Sequence, residues 1–110
     1  MISPQLPNYL RANRKRLALS QDEVAFLLGA QNGGKVCRHE RFSREPSLET
    51  ALAYEAIFKR SVNELFAGLY LKIENGVGER AKILASRKDS VKPNRRTAHK
   101  REALTDLATN

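Results

Sequence analysis

The sequence predicts an all-helical fold with five helices, a long last helix and a basic C-terminal tail. Apolar residues recur at three- and four-residue intervals along most of the chain, as they do on one face of an α-helix. Two Ser-x-x-Glu boxes, Ser20–Glu23 and Ser61–Glu64, are typical of helix N-termini, whereas Gly29 and Pro46 are residue types that end helices. The length of 110 residues suits one domain with a modest core.

The first three predicted helices are short. Helix 1 is predicted over 7–17, because Leu6, Leu10 and Leu17 lie near one helical face. Helix 2 follows the first capping box over 21–28, and Gly29 can take a positive φ to end it. An Asn-Gly-Gly turn precedes helix 3, predicted over 35–42.

Two longer helices follow Pro46. Ser47 is an N-cap candidate for helix 4, which we expect to end at Phe58. Helix 5 is predicted over 62–88, although two glycines weaken it by about 1 kcal/mol each relative to alanine. Its apolar stripe consists of Leu65, Leu69, Ile73, Val77 and Leu84. The aromatic residues at core spacings are Tyr9, Tyr54, Phe58, Phe66 and Tyr70.

These helices divide the chain into a helical domain over 1–70, an extension of helix 5 over 71–88 and a tail over 89–110. Seven basic residues lie within 87–101, and few apolar residues accompany them. A segment of this composition buries too little surface to offset its ordering entropy. We therefore predict a disordered or loosely helical tail.

The charge balance favours a polyanionic partner. The chain has 20 Lys and Arg against 12 Asp and Glu, a formal net charge of +8, and nucleic acid is the commonest partner for such an excess. Cys37 is the only cysteine, so no internal disulfide can form. No signal peptide and no membrane-spanning apolar run is found, which predicts a cytoplasmic protein without membrane contact.

Helices 2 and 3 carry the functional signal. A short capped helix, a glycine-containing turn and a second helix with a basic stripe describe a helix-turn-helix. The stripe consists of Lys35, Arg38 and Arg41, spaced three residues apart. In this motif the second helix lies in the major groove of DNA, with its N-terminal part against the base edges.

The order of the segments 17–25, 28–29, 36–41 and 46–50 resembles the Cro/C1-type helix-turn-helix domain, the XRE-like family of the phage lambda repressor. The match covers about 6–70. The resemblance implies a bacterial or phage transcriptional regulator, most often a repressor, that binds double-stranded DNA at the nucleoid through helix 3. It also implies that Val36 anchors helix 3 in the core and that Glu40 closes it.

The resemblance implies backbone-contacting and base-reading residues as well. Gln21 matches a phosphate-contacting position, Lys35 and Arg38 match outward positions of helix 3, and Arg41 and Arg44 fall where the family grips the DNA backbone. This chain departs from the family in a turn one residue longer, with Gly33-Gly34 where base-reading side chains are usual. Phe42 also replaces a common glycine. The predicted DNA-binding set is Gln21, Gln31, Asn32, Lys35, Cys37, Arg38, Arg41 and Arg44.

Other functions have less support in the sequence. No nucleophile with a base and no phosphate-binding glycine motif is found, so we expect no catalysis and no cofactor. Cys37 and His39 face different sides of a helix, so we expect no metal site, and we expect no small-molecule ligand. We predict a homodimer formed through helix 5; the alternative is that helix 5 folds back and covers helices 1 and 4 within one monomer. An antitoxin-like or adaptor module and a nonspecific nucleic-acid binder remain the alternatives.

Overall fold

A computed structural model describes residues 6–87 and 95–109, and the regular structure in these ranges is entirely helical. The all-α prediction is therefore confirmed. None of the helices in the described ranges is long and apolar enough to cross a membrane. The helices are α1 Leu10–Arg16, α2 Gln21–Leu27, α3 Gly34–Glu40, α4 Leu48–Phe58, α5 Val62–Leu65, α6 Ala67–Ser86 and α7 Arg95–Ala108.

The predicted helix caps of α2, α4 and α5 are present. Ser20 accepts a hydrogen bond from the Glu23 amide at 3.0 Å, and the Glu23 carboxylate accepts the Ser20 amide at 2.8 Å, which completes a capping box. Ser47 and Ser61 likewise accept from the backbone amides three residues further on. Short polar side chains therefore set the start of each of these helices.

The prediction of one helix over 62–88 is wrong, because the backbone leaves the helical conformation at Phe66 (φ −117°, ψ 43°). The break separates α5 from α6. Two long-range backbone hydrogen bonds lie beside it: Tyr9 N donates to the Leu65 carbonyl at 2.7 Å, and Gly68 N donates to the Leu6 carbonyl at 2.9 Å. The N-terminal segment thus forms hydrogen bonds with the Leu65 carbonyl and the Gly68 amide, which a continuous helix would pair within itself.

The tail over 89–110 was predicted to be disordered or loosely helical, and the segment Arg95–Ala108 forms the helix α7. Leu104 is buried there, and Thr97 and Ala108 are half-buried. One well-placed leucine and a few small residues therefore order a helix whose average composition is strongly polar. The rest of the predicted tail, 89–94 and 110, lies outside the described residues.

The chain divides into two compact units, Met1–Tyr70 and Leu71–Asn110. In the first unit, helices α1 to α5 all contribute to one apolar core. Of the apolar stripe predicted on helix 5, Leu65 belongs to this core and Leu69 packs against it. Tyr70 is nearly half exposed, so its expected core position is wrong. The buried core residues are Leu10, Val24, Ala25, Val36, Ala51, Tyr54, Phe58, Leu65 and Phe66.

The second unit, as far as it is described, is a pair of antiparallel helices formed by α6 and α7. Gly78 lies beside the Leu107 carbonyl, and Ala81 borders the same groove as Leu104. A Cβ atom on Gly78 would approach the Leu107 carbonyl oxygen to 3.1 Å. The glycine that the sequence marks as a weak point of the helix therefore permits the close approach of α7.

Candidate nucleic-acid interface

Helix α3 has a buried side and a cationic side. Val36 and His39 are each 1% exposed and face the core of the first unit. At about 100° per residue, Arg38 and Arg41 lie on the opposite side, and Lys35 lies at its edge. All three cationic side chains are exposed, so the predicted basic stripe faces solvent.

The connection between α2 and α3 is held by Asp22. Its carboxylate accepts a hydrogen bond from the Gly33 amide at 2.7 Å. A Cβ atom on Gly33 would lie 2.8 Å from the Asp22 Oδ1 atom and 3.0 Å from the Gln21 Cβ atom. Glycine is thus required there by the contact with α2. The role of Asp22 could not be predicted from the sequence, because nothing in the spacing of residues pairs it with the turn.

The start of α3 concentrates polar groups. Asn32 accepts a hydrogen bond from the Gly34 amide at 2.9 Å through its side-chain oxygen, which satisfies one of the amides left unpaired at a helix N-terminus. A Cβ atom on Gly34 would lie 3.5 Å from a guanidinium nitrogen of Arg38. The Arg38 side chain therefore extends back over the first turn, the direction that helical side chains favour.

The other end of α3 is fixed to α1 by an ion pair. The Glu40 side chain, 4% exposed, accepts from Arg14 Nε at 2.6 Å and from Arg14 Nη2 at 3.2 Å. The hydrogen bond with Glu40 is the main reason that the pKa of Arg14 is raised. Gln21 Nε2 donates to the same carboxylate at 3.1 Å. Glu40, the last residue of α3, thus connects α1 through Arg14 and the start of α2 through Gln21. No motif in the sequence predicts this role for Arg14.

The buried side of α3 is also hydrogen-bonded. His39 Nδ1 shares a hydrogen bond of 2.8 Å with the Tyr54 hydroxyl, and the Asn8 side-chain amide donates to the His39 carbonyl at 2.9 Å. Burial lowers the pKa of His39, and the positive charges of Lys35, Arg38 and Arg44 lower it further. Burial also raises the pKa of Tyr54. His39 is therefore a neutral packing residue within a cationic field.

Helix α3 ends in a left-handed turn at Phe42, which has a φ of 54°. Phe42 is half-buried and packs against the core, as expected for an aromatic residue that closes it. The Ser43 amide donates to the Arg38 carbonyl at 3.0 Å, which satisfies one of the last carbonyls of the helix. The turn leaves Arg41 and Arg44 exposed on either side of Phe42.

The predicted DNA-binding residues thus have different environments. The ones that are exposed on or next to α3 are Gln31, Asn32, Lys35, Arg38, Arg41 and Arg44. Cys37 is half-buried at the edge of the cationic side. Gln21 is half-buried, and its amide is hydrogen-bonded to Glu40. Contact of each residue with DNA stays a prediction.

The described residues contain no group of three or more His, Cys, Asp or Glu side chains arranged to hold a metal ion. No protein-family model, curated protein or solved structure matches the chain. The functional conclusion therefore depends on the residues and geometry of the chain itself.

Proposed function

We propose that the protein is a DNA-binding transcriptional regulator that reads the major groove of double-stranded DNA with α3. The observation that carries this proposal is the position of the Arg38 guanidinium over the first turn of α3, flanked by the exposed side chain of Lys35. The N-terminal part of a reading helix is the part that approaches base edges. Arginine is the side chain that most often makes a specific contact there, a bidentate pair with guanine.

The surroundings of α3 support a helix-turn-helix of the kind that the resemblance implies. Six residues, 28–33, separate α2 from α3, and the hydrogen bond from the Gly33 amide to Asp22 joins the connection to α2. Arg41 and Arg44 supply positive charge next to the proposed reading face, where phosphate contacts would fix the orientation of the protein without reading sequence. We propose that this bacterial or phage protein acts at the bacterial nucleoid.

The test begins with selection of bound sequences from a random duplex library. Arg38→Ala is then expected to weaken binding to the selected site by about 1–3 kcal/mol and to relax the preference at one base pair. Arg60→Ala is the matched control, because Arg60 is also an exposed arginine but follows α4, away from α3 along the chain.

Each result has a defined meaning. An equal loss on the selected site and on random duplexes would make Arg38 a phosphate-contacting residue. Binding without any sequence preference would favour the nonspecific nucleic-acid binder. Absence of duplex binding at low salt would contradict the proposal and favour the antitoxin-like or adaptor module.

A further inference from the structure

A cleft opens in the first unit between the segment that precedes α1, α1 itself and the end of α3. Its volume is about 380 Å³, near the lower end of the range of about 300–1,000 Å³ that is usual for sites of small molecules. The lining residues lie within 6–15 and 40–42, two segments that are distant in the chain and meet only in the folded unit. The sequence therefore does not predict this cleft.

The walls of the cleft are largely apolar and include aromatic residues. The residues that contribute aliphatic or aromatic carbon are Leu6, Pro7, Tyr9, Ala12 and Phe42. Leu6 is 56% exposed, so apolar surface at the cleft remains in contact with water. Aromatic residues pack favourably against a further ring, in offset-stacked or edge-to-face arrangements. The walls are therefore suited to a planar, apolar ligand body.

Three cationic side chains line the same cleft: Arg11, Lys15 and Arg41. All three are exposed, and within the described ranges none of them forms an ion pair or a side-chain hydrogen bond. Arg11 and Lys15 are four residues apart on α1, a spacing at which like charges are close enough to repel each other. A bound anion would offset this repulsion.

The polar groups of the cleft that could neutralise these cations have other partners. Glu40 is the acidic residue among the described lining residues, and its carboxylate accepts hydrogen bonds from Arg14 and Gln21. The Asn8 side-chain amide donates to the His39 carbonyl. The cleft thus has an excess of positive charge, which raises the local concentration of anions.

We propose that the cleft binds a small aromatic acid, that is, a planar ring system with a carboxylate group. The ring packs against the apolar walls, and the carboxylate accepts hydrogen bonds from the cations, Arg11, Lys15 and Arg41. A guanidinium group can donate two parallel hydrogen bonds to a carboxylate, which is a strong and directional arrangement. A backbone phosphate of DNA would satisfy the cations but would leave the apolar walls in contact with water.

The cleft lies directly beside the proposed reading helix. Glu40 is the last residue of α3, and the exposed Arg41 that follows it belongs to the residues predicted to contact the DNA backbone. A carboxylate bonded to Arg41 withdraws this cation from a phosphate, so the bound acid lowers the affinity for DNA. This regulatory consequence rests on the proposed function, whereas binding of the acid does not.

The experiment is a titration of the isotope-labelled full chain with 2-naphthoate, without DNA, followed by NMR. At the efficiency of ordinary ligands, a probe of about 13 non-hydrogen atoms binds with a dissociation constant of about 1 mM. The backbone amide signals of 6–15 and 40–42 should shift and reach saturation. The neutral 2-naphthamide has the same ring without the charge, and it should bind at least about tenfold more weakly.

Variants of the cleft test the two parts of the ligand separately. Arg11→Gln removes one cation and should raise the dissociation constant about tenfold. Ala12→Leu fills part of the cleft with a larger side chain and should also weaken binding. Arg60→Gln is the matched control, because Arg60 is an exposed arginine that does not line the cleft, and its titration should match that of the wild type.

Circular dichroism of each variant checks that the helices remain. Absence of saturable shifts at about 10 mM 2-naphthoate, well above the expected dissociation constant, would overturn the proposal. Equal effects of Arg11→Gln and Arg60→Gln would also overturn it, because they would indicate nonspecific attraction of an anion to a basic protein. If inorganic phosphate bound in the cleft as tightly as 2-naphthoate, or 2-naphthamide did, an aromatic acid would be the wrong ligand.

A gel-shift titration tests the regulatory consequence. Saturating 2-naphthoate is expected to weaken binding to the selected duplex several-fold, and 2-naphthamide at the same concentration should not. Unchanged affinity for the duplex would contradict the regulatory consequence alone. A chain that binds 2-naphthoate in the cleft but binds no duplex would contradict the proposed function and support the ligand site.

Discussion

Removal of Arg14 from its ion pair with Glu40 should strongly destabilise the fold, because it leaves a buried carboxylate without its cation. Arg14→Met removes the cation and leaves the Glu40 carboxylate, 4% exposed, with only its hydrogen bond from Gln21. Removal of one partner of a buried pair costs about 3–5 kcal/mol. Arg14 also donates to the Leu19 carbonyl at 3.0 Å, a bond that contributes about 1 kcal/mol.

The cost has an upper limit that depends on pH. An unpaired buried carboxylate can take up a proton, which costs a glutamate about 3.7 kcal/mol at pH 7 but only about 1 kcal/mol at pH 5. With the Leu19 bond included, we expect Arg14→Met to lower the free energy of unfolding by about 3–5 kcal/mol at pH 7 and by about 2 kcal/mol at pH 5.

Urea unfolding followed by circular dichroism measures both values. Arg16→Met is the matched control, because Arg16 lies on the same helix but donates to neutral oxygens, the Phe58 carbonyl at 2.8 Å and the Asn13 side chain. It should cost about 1–2 kcal/mol at both pH values. The reasoning fails if Arg14→Met costs no more than this control at pH 7, or if its cost does not decrease at pH 5.

Three further predictions concern other parts of the molecule. The pKa of His39 is lowered in the folded chain, so the free energy of unfolding should be highest above about pH 6.5 and decrease below it, by at most about 1.4 kcal/mol per pH unit. Urea unfolding of His39→Gln should show a weaker decrease. Identical pH profiles for the variant and the wild type would contradict this. Ala18 has a φ of 58°, so Ala18→Gly should raise the unfolding free energy by about 0.5–1 kcal/mol, and a thermal unfolding midpoint below that of the wild type would contradict this. If α7 contacts phosphates, glutamine in place of its exposed arginines should reduce the slope of log affinity against log salt concentration by up to about 0.9 per contact. The base preference should not change. An unchanged slope would show that α7 makes no phosphate contact. These arginines are Arg95, Arg96 and Arg101.

The sequence alone predicted those features of the fold that depend on residues close together in the chain. Ser20 and Ser47 begin helices because their hydroxyls reach amides three residues away, and such pairs can be recognised from spacing alone. The break at Phe66 could not be recognised, because the apolar repeat continues through it without interruption. It accompanies backbone hydrogen bonds to Leu6 and Tyr9, which are distant in sequence.

The same distinction applies to the candidate interface. The exposed cations of α3 follow from helical periodicity, but the reason for glycine at position 33 is the Asp22 side chain of another helix. For a related reason the sequence predicted α7 only as a loosely helical alternative to disorder. Average composition does not reveal that Leu104 and Ala81 line the same groove, or that Gly78 lies beside the Leu107 carbonyl.

The polar contacts on the inner side of α3 have a consequence for protein engineering. Asn8 and Tyr54 hydrogen-bond to the carbonyl and the side chain of His39, and Arg14 hydrogen-bonds to the carboxylate of Glu40. Rotation of α3 by one residue would break all three of these bonds. A purely aliphatic inner side would tolerate small rotations, whereas directional bonds do not. If α3 reads DNA as proposed, Lys35 and Arg38 can therefore be substituted together to change the base preference without changing the orientation of the helix.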